Sequence, residues 1–129
     1  MKDYLKTLDL HRKGMLLAQD AHVAQFRGDE AAALHLFSAA FDLERAAALD
    51  LTDALDKEPT RSVLFRSAAS LAMNCGRFEE GEAMIALGLS GNPPRDIADE
   101  LRDVAKKIKA LKQKIKSDKT HKLEAVTNA

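Results

Sequence analysis

Residues 59–94 read PTRSVLFRSAASLAMNCGRFEEGEAMIALGLSGNPP, and this stretch decides the fold. Apolar and alanine residues recur at helical spacing over residues 60–74, the pattern breaks at Gly76, and it resumes to about residue 89. Prolines stand at both ends of the stretch, and the residue before a proline is disfavoured in the helical conformation. The stretch therefore predicts a helical hairpin, which we number helices 3 and 4.

The preceding residues predict a second hairpin. Helical spacing covers about residues 3–26, Arg27-Gly28-Asp29 provides a stop and a new start, and the spacing resumes over about residues 30–57. At 1.5 Å per residue, helix 2 would be about 40 Å long. Helix 1 carries two apolar stripes, one of Leu5, Leu8, Leu16, Val23 and Phe26, the other of Leu10, Leu17, Ala21 and Ala24.

Two charged residues interrupt the apolar stripes of this hairpin. If the chain turns at Gly28, residues whose numbers add to about 56 face one another, and Arg12 and Glu44 satisfy that condition. We therefore predict that the two side chains pair across the hairpin. The alternative is that both lie at the edge of the helix interface with their charges in water, where a pair contributes about 0–1 kcal/mol.

A fifth helix is predicted from Pro93 or Pro94 to about Lys116. Its apolar residues are spaced by four and three positions and form a heptad seam of Ile97, Leu101, Val104, Ile108, Leu111 and Ile115. The seam either caps helices 3 and 4 or projects and pairs with a second copy or another helix. We expect one domain at residues 1–117 and a disordered basic tail at residues 118–129.

The zero net charge of the 129 residues hides an asymmetry. Residues 1–105 carry 12 Lys and Arg against 18 Asp and Glu, a balance of −6, whereas residues 106–129 carry 8 Lys against 2 acids, a balance of +6. No apolar run approaches the length of about 20 residues that a membrane span needs, and the first residues do not resemble a signal peptide. The single cysteine, Cys75, excludes an intrachain disulfide and suits a reducing compartment. We expect a cytoplasmic protein without membrane contact.

Catalytic and cofactor motifs are absent from the sequence. It contains no glycine-rich phosphate loop, no serine nucleophile elbow and no interleaving of basic with aromatic residues. His22 and His35 could face each other near Gly28, but no metal-ligand spacing recurs on other helices. We therefore expect neither an enzyme, nor a cofactor, nor a metal.

Residues 61–94 resemble a tetratricopeptide repeat. The residues that match its aromatic, small and turn positions are Phe65, Ala68, Ala69, Ala72, Gly76, Gly81, Ile85, Gly88 and Pro93. Residues 13–46 contain a fainter copy, with Leu17, Ala21, Ala24, Gly28, Ala33, Phe37 and Ala40 in register. The stretch at residues 58–94 is also similar to a group of small bacterial proteins of uncharacterised function. The resemblance implies a right-handed stack of helical hairpins with a capping helix.

The same resemblance implies a concave surface formed by the first helix of each hairpin. On helix 3 its candidate residues are Val63, Arg66, Ser70, Met73 and Asn74, and on helix 1 they are His22, Gln25 and Phe26. Such a surface would bind a peptide or a helix of another protein, which makes the chain an adaptor; alternatively, these residues are solvated surface. The rival hypothesis is an oligomeric or nucleic-acid-associated protein that uses the lysines of helix 5, Lys106, Lys107, Lys109, Lys112, Lys114 and Lys116.

Overall fold

The computed structural model describes residues 3–127, and all regular structure in that range is helical. The five α-helices are α1 (Tyr4–Phe26), α2 (Glu30–Asp50), α3 (Thr60–Asn74), α4 (Phe78–Leu89) and α5 (Arg95–Thr127), with a short 3-10 helix at Leu55–Lys57. The predicted all-α class with five helices is confirmed. Over the described range no helix is long and apolar enough to cross a membrane. The right-handed, repeat-like stacking stays a prediction.

Two glycine turns fold the first four helices into two antiparallel hairpins. Gly28 and Gly76 have φ angles of 80° and 76°, a conformation that side chains with a Cβ rarely adopt. Asp29 then caps α2, because its carboxylate accepts a hydrogen bond of 3.1 Å from the backbone N–H of Ala32. We call the end of the molecule that holds these turns the turn end. The far end holds the start of α1 and residues 51–59 and 90–94.

Small residues bring the helices close together. Gly14 lies inside a continuous α1, and a Cβ there would stand 3.4 Å from the carbonyl oxygen of Ala40 on α2. The helix α3 packs against α2, α4 and α5, so it is the central element. On α4, a Cβ at Gly88 would stand 3.0 Å from Leu101 on α5. The buried first half of the α5 seam thus covers α3 and α4, as the capping alternative predicted.

The turn of the second hairpin is attached to the first. Arg77 donates hydrogen bonds to Asp42 (2.8 Å) and Ser38 (3.1 Å) on α2, and to both carboxylate oxygens of Glu80 on its own helix. The hydrogen bonds with Glu80 and Asp42 raise the pKa of the Arg77 guanidinium above its ordinary value. These contacts hold the residues that flank Gly76 against α2.

Two helix limits differ from the sequence prediction. Helix 2 ends at Asp50 rather than near Lys57, because the following backbone turns away and the carbonyl of Thr52 accepts a hydrogen bond from Arg61.

Helix 5 continues to Thr127 instead of ending near Lys116, so residues 118–127 are helical where we predicted disorder. That stretch contains no glycine or proline, and its Lys, Leu, Glu and Ala residues favour helix. Residues 128–129 lie outside the described range, and the division at residue 117 stays a prediction.

The predicted pairing of Arg12 with Glu44 is wrong. Arg12 bonds Asp9 on its own helix at 2.8 Å and is exposed, whereas the carboxylate oxygens of the fully buried Glu44 lie 2.8 Å from Nδ1 of His11. Successive residues point about 100° apart around a helix, so only one of two neighbours can face α2, and the rotation of α1 about its axis places His11 there.

Candidate binding surface

A cleft at the turn end brings together two of the predicted binding residues. Gln25 is exposed and is the second-last residue of α1, and Asn74 is the last residue of α3. Together they line a cleft of about 310 Å³ whose remaining walls come from α2 and its start, namely Glu30, Ala31, Ala33, Leu34 and Phe37. We call it the turn-end cleft. It exists because both glycine turns lie at the same end of the molecule.

His22 contributes to this cleft indirectly. Its ring meets the ring of Phe37 edge to face, with centroids 4.9 Å apart and planes at 81°. Phe37 is buried and forms a wall of the cleft. His22 therefore supports an apolar wall, while the ring itself remains exposed at the surface.

The other predicted residues on α3 lie outside the turn-end cleft. Arg66 forms an ion pair with Glu100 on α5, so its guanidinium joins α3 to the capping helix. Val63, Ser70 and Met73 are partly buried along α3 and do not line the cleft. Of the predicted set, the structure thus brings Gln25 and Asn74 together and separates Arg66 from them.

Exposed apolar side chains surround the turn end. Phe26, the residue after Gln25, is 93% exposed, and Leu34 in the cleft wall is 54% exposed. On α1 the stripe that contains Leu16, Val23 and Phe26 faces solvent, whereas the helix buries Thr7, Gly14, Ala18 and Ala21.

The most unusual ionisable group lies inside the first hairpin. Burial raises the pKa of Glu44 to about 7 from an ordinary value of 4.5, although the hydrogen bonds from His11 act in the opposite direction. Glu44 joins α2 to α1 through these contacts with His11. Burial also raises the pKa of the Cys75 thiol, which makes it a poor nucleophile.

A second depression, which the sequence analysis did not identify, lies at the far end. It measures about 450 Å³ and is lined by Tyr4, Thr7, Leu49, Asp50, Leu51, Thr52, Asp53, Ala54, Asp56 and Lys57. Thr7 is buried and donates a 2.9 Å hydrogen bond to Asp50, which fixes one wall, while the ammonium of Lys57 lies 4.7 Å from the ring centre of Tyr4. We call it the far-end groove. In the sequence, only the spacing of Asp50, Asp53 and Asp56 pointed to this groove. The polar face of an amphipathic helix has the same spacing, so the signal was not specific.

Among the described residues, no group of three His, Cys, Asp or Glu side chains is placed to hold a metal ion. Comparisons of the chain with protein-family models, with curated proteins and with solved structures find no match. Function is therefore inferred from the surfaces of this chain alone.

Proposed function

We propose that this chain is a non-enzymatic interaction module that binds a segment of another protein at the turn-end cleft. The observation that supports this proposal is a cleft whose wall includes the exposed Leu34 and that also presents the side-chain amides of Gln25 and Asn74. The exposed Phe26 follows Gln25 in the chain. A cytoplasmic location and a wider contact along Arg66, Ser70, Met73 and His22 stay predictions that accompany it.

The chemistry of the cleft suits a peptide with one apolar anchor. Phe37 and Leu34 supply apolar walls, and a side-chain amide both donates and accepts hydrogen bonds, as the peptide backbone of a partner requires. A volume of about 310 Å³ is at the lower limit of ligand sites, which hold about 300–1,000 Å³. The cleft therefore accommodates an anchoring side chain and the backbone around it. The carboxylate of Glu30 at the rim favours a partner segment without acidic residues.

The experiment is a peptide selection on the wild-type chain followed by affinity measurement on variants. Leu34→Asp places a charge in the cleft wall and should weaken binding of the selected peptides by at least about tenfold, which corresponds to 1.4 kcal/mol. Asn74→Arg fills the cleft from the opposite side and should act in the same direction. Fluorescence anisotropy with labelled peptides measures both effects.

The matched control is Leu16→Asp. Leu16 is 51% exposed, close to the 54% of Leu34, but it does not line the cleft. We expect the control to bind the peptides as the wild type does, and circular dichroism melting confirms that all three variants fold. Peptides that bind Leu34→Asp and Asn74→Arg with unchanged affinity would place the binding surface elsewhere.

A further inference from the structure

The capping helix α5 is much longer than the surface that it covers. Its 33 residues span about 50 Å, whereas the 12 residues of its antiparallel neighbour α4 span about 18 Å. Gly88 meets Leu101 and Gly81 meets Ile108, so α5 runs from the far end to the turn end. Beyond Ile108 the same seam becomes exposed, with Ile115 at 44%. We call residues 111–127 the α5 tail.

The α5 tail combines this apolar edge with positive charge. Lys114, Lys116, Lys119 and Lys122 are exposed along it, and residues 106–129 as a whole have a balance of +6. Lys112 is already bound to Glu79 and Glu82 on α4, which raises the pKa of its ammonium. Two tails side by side would repel each other, so the exposed seam does not suit pairing of α5 with α5.

The far-end groove has the complementary character. Tyr4, Leu49, Leu51 and Ala54 form apolar walls, and the exposed Leu55 follows directly. Asp53 and Asp56 place exposed carboxylates at the rim of these walls, and the ammonium of Lys57 lies 3.7 Å from Asp56. An apolar groove with an acidic rim fits a helix that has an apolar edge between lysines.

We propose that the α5 tail of one copy docks in the far-end groove of a second copy of this chain. The tail leaves the body at the turn end, and α1 alone, with 23 residues, separates the two ends by about 35 Å, so a tail does not reach its own groove. Two copies side by side in antiparallel orientation bring each tail to the groove of the other. The contact is then made twice and the assembly closes as a dimer.

A second copy fits the charges better than nucleic acid does. Residues 1–105 carry a balance of −6, which repels phosphates close to the tail. The same −6 attracts the α5 tail of another copy, where five Lys stand against two acids, a balance of +3. Nucleic-acid contact also leaves Leu111 and Ile115 without a function, because phosphate binding needs charge and not an apolar edge.

The test is light scattering coupled to size-exclusion chromatography on the full chain and two charge-reversed variants. The tail variant is Lys116→Glu, Lys119→Glu and Lys122→Glu, and the groove variant is Asp53→Lys with Asp56→Lys. We expect the wild type to approach twice its monomer mass of 14.1 kDa at about 50 mM salt and to dissociate at about 500 mM. Each variant alone should be monomeric, and an equimolar mixture should regain the dimer mass.

The control variant carries Lys106→Glu, Lys107→Glu and Lys109→Glu. It changes the net charge by the same amount as the tail variant, but its lysines lie before the tail, so it should remain dimeric. Leu34→Asp should also remain dimeric, which separates this proposal from the function of the turn-end cleft. A wild type that is monomeric at every concentration, or dimers that both variants leave intact, would overturn the proposal. A monomer that binds a labelled DNA duplex with steep salt dependence would assign the tail to nucleic acid instead.

Discussion

Arg61 connects the loops of the far end through a single buried side chain. Only 1% of it is exposed, and its guanidinium donates hydrogen bonds to the carbonyls of Thr52 (2.9 Å), Leu87 (2.8 Å) and Gly88 (3.3 Å). The carbonyls of the last turn of a helix have no partner within the helix, so Arg61 supplies donors to the end of α4. The carboxylate of Glu58 lies 3.8 Å away and balances its charge.

Replacement of Gly91 tests this cluster, because the glycine is packed against the guanidinium. A Cβ at position 91 would lie 2.3 Å from Nη1 and 2.7 Å from Cζ of Arg61, so Gly91→Ala must displace the buried side chain. We expect a loss of about 1–3 kcal/mol in the free energy of unfolding, the usual range for overpacking. Urea denaturation of the full chain measures it.

The control is the same substitution in an Arg61→Met background. Methionine ends short of the guanidinium position, so Gly91→Ala should cost much less there, although Arg61→Met itself destabilises the protein. Equal costs of Gly91→Ala in the two backgrounds would contradict a steric origin in Arg61.

The buried Glu44 predicts an unusual dependence of stability on pH. In the native state burial raises its pKa to about 7, whereas the unfolded chain has the ordinary value near 4.5, so the native state binds more protons between these pH values. The free energy of unfolding should therefore fall as pH rises from about 4.5 to 7, by up to about 3 kcal/mol, and the stabilising contribution is fully present only below that interval.

Glu44→Gln removes this titration but keeps a hydrogen bond to His11. Urea denaturation at several pH values between about 5 and 8 should show that the decline of the wild type is absent or much smaller in Glu44→Gln. Glu124→Gln, an exposed change of the same kind on α5, should follow the wild type. Parallel curves for wild type and Glu44→Gln would show that Glu44 is not the group responsible.

At the scale of elements, α5 shows how one heptad seam serves two environments. Ile97, Leu101, Val104 and Ile108 are buried against α3 and α4, whereas the positions that follow are exposed. Sequence spacing predicted the seam correctly but left both capping and projection open. The first half of the seam covers α3 and α4, and the helix then continues past Phe78, the first residue of α4. Pairing of the projecting part with another helix stays a prediction.

Ile108 and Ile115 provide a matched pair for this difference. They are the same residue type one heptad apart, but Ile108 is 0% exposed and Ile115 is 44% exposed. Ile108→Ala should cost about 2–5 kcal/mol, the range for a buried aliphatic side chain, and Ile115→Ala less than about 1 kcal/mol. Thermal denaturation at high salt, where the proposed dimer dissociates, compares them. Similar costs would contradict the division of the seam.

At the scale of the whole molecule, α3 is the element on which the others depend. It contacts α2, α4 and α5, whereas α1 packs extensively against α2 only. Segments with fewer packing partners open at lower free energy than the core. The two hairpins should therefore differ in local stability although they form one hydrophobic core.

Hydrogen exchange tests this order. We expect backbone amides in the middle of α3 to exchange at least about tenfold more slowly than those in the middle of α1, because α1 opens without disruption of the second hairpin. Mass spectrometry of peptides from each helix measures both in one sample. Equal protection of α1 and α3 would show that the chain opens only as a single cooperative unit.

The candidate site was predictable only in part. Gln25 and Asn74 were predicted as part of the concave surface that the tetratricopeptide resemblance implies, and the structure places both in the turn-end cleft. The pairing of Arg66 with Glu100 and the contact of His22 with Phe37 depend on which helices meet, and residue spacing carries no such information. The far-end groove was missed for the same reason, since its walls come from α1, the end of α2 and the residues that follow.

The sequence by itself determined the all-α class, the limits of α3 and the turns at Gly28 and Gly76. These features depend on interactions within a few residues, namely apolar period, helix caps and the conformations available to glycine and proline. Only the tertiary structure decided which stripe of α1 is buried, that His11 rather than Arg12 meets Glu44, and where helix 2 ends. Those outcomes depend on how each helix is rotated about its axis. In alanine-rich helices with apolar residues on several faces, the sequence allows several rotations, and close packing between the helices selects one.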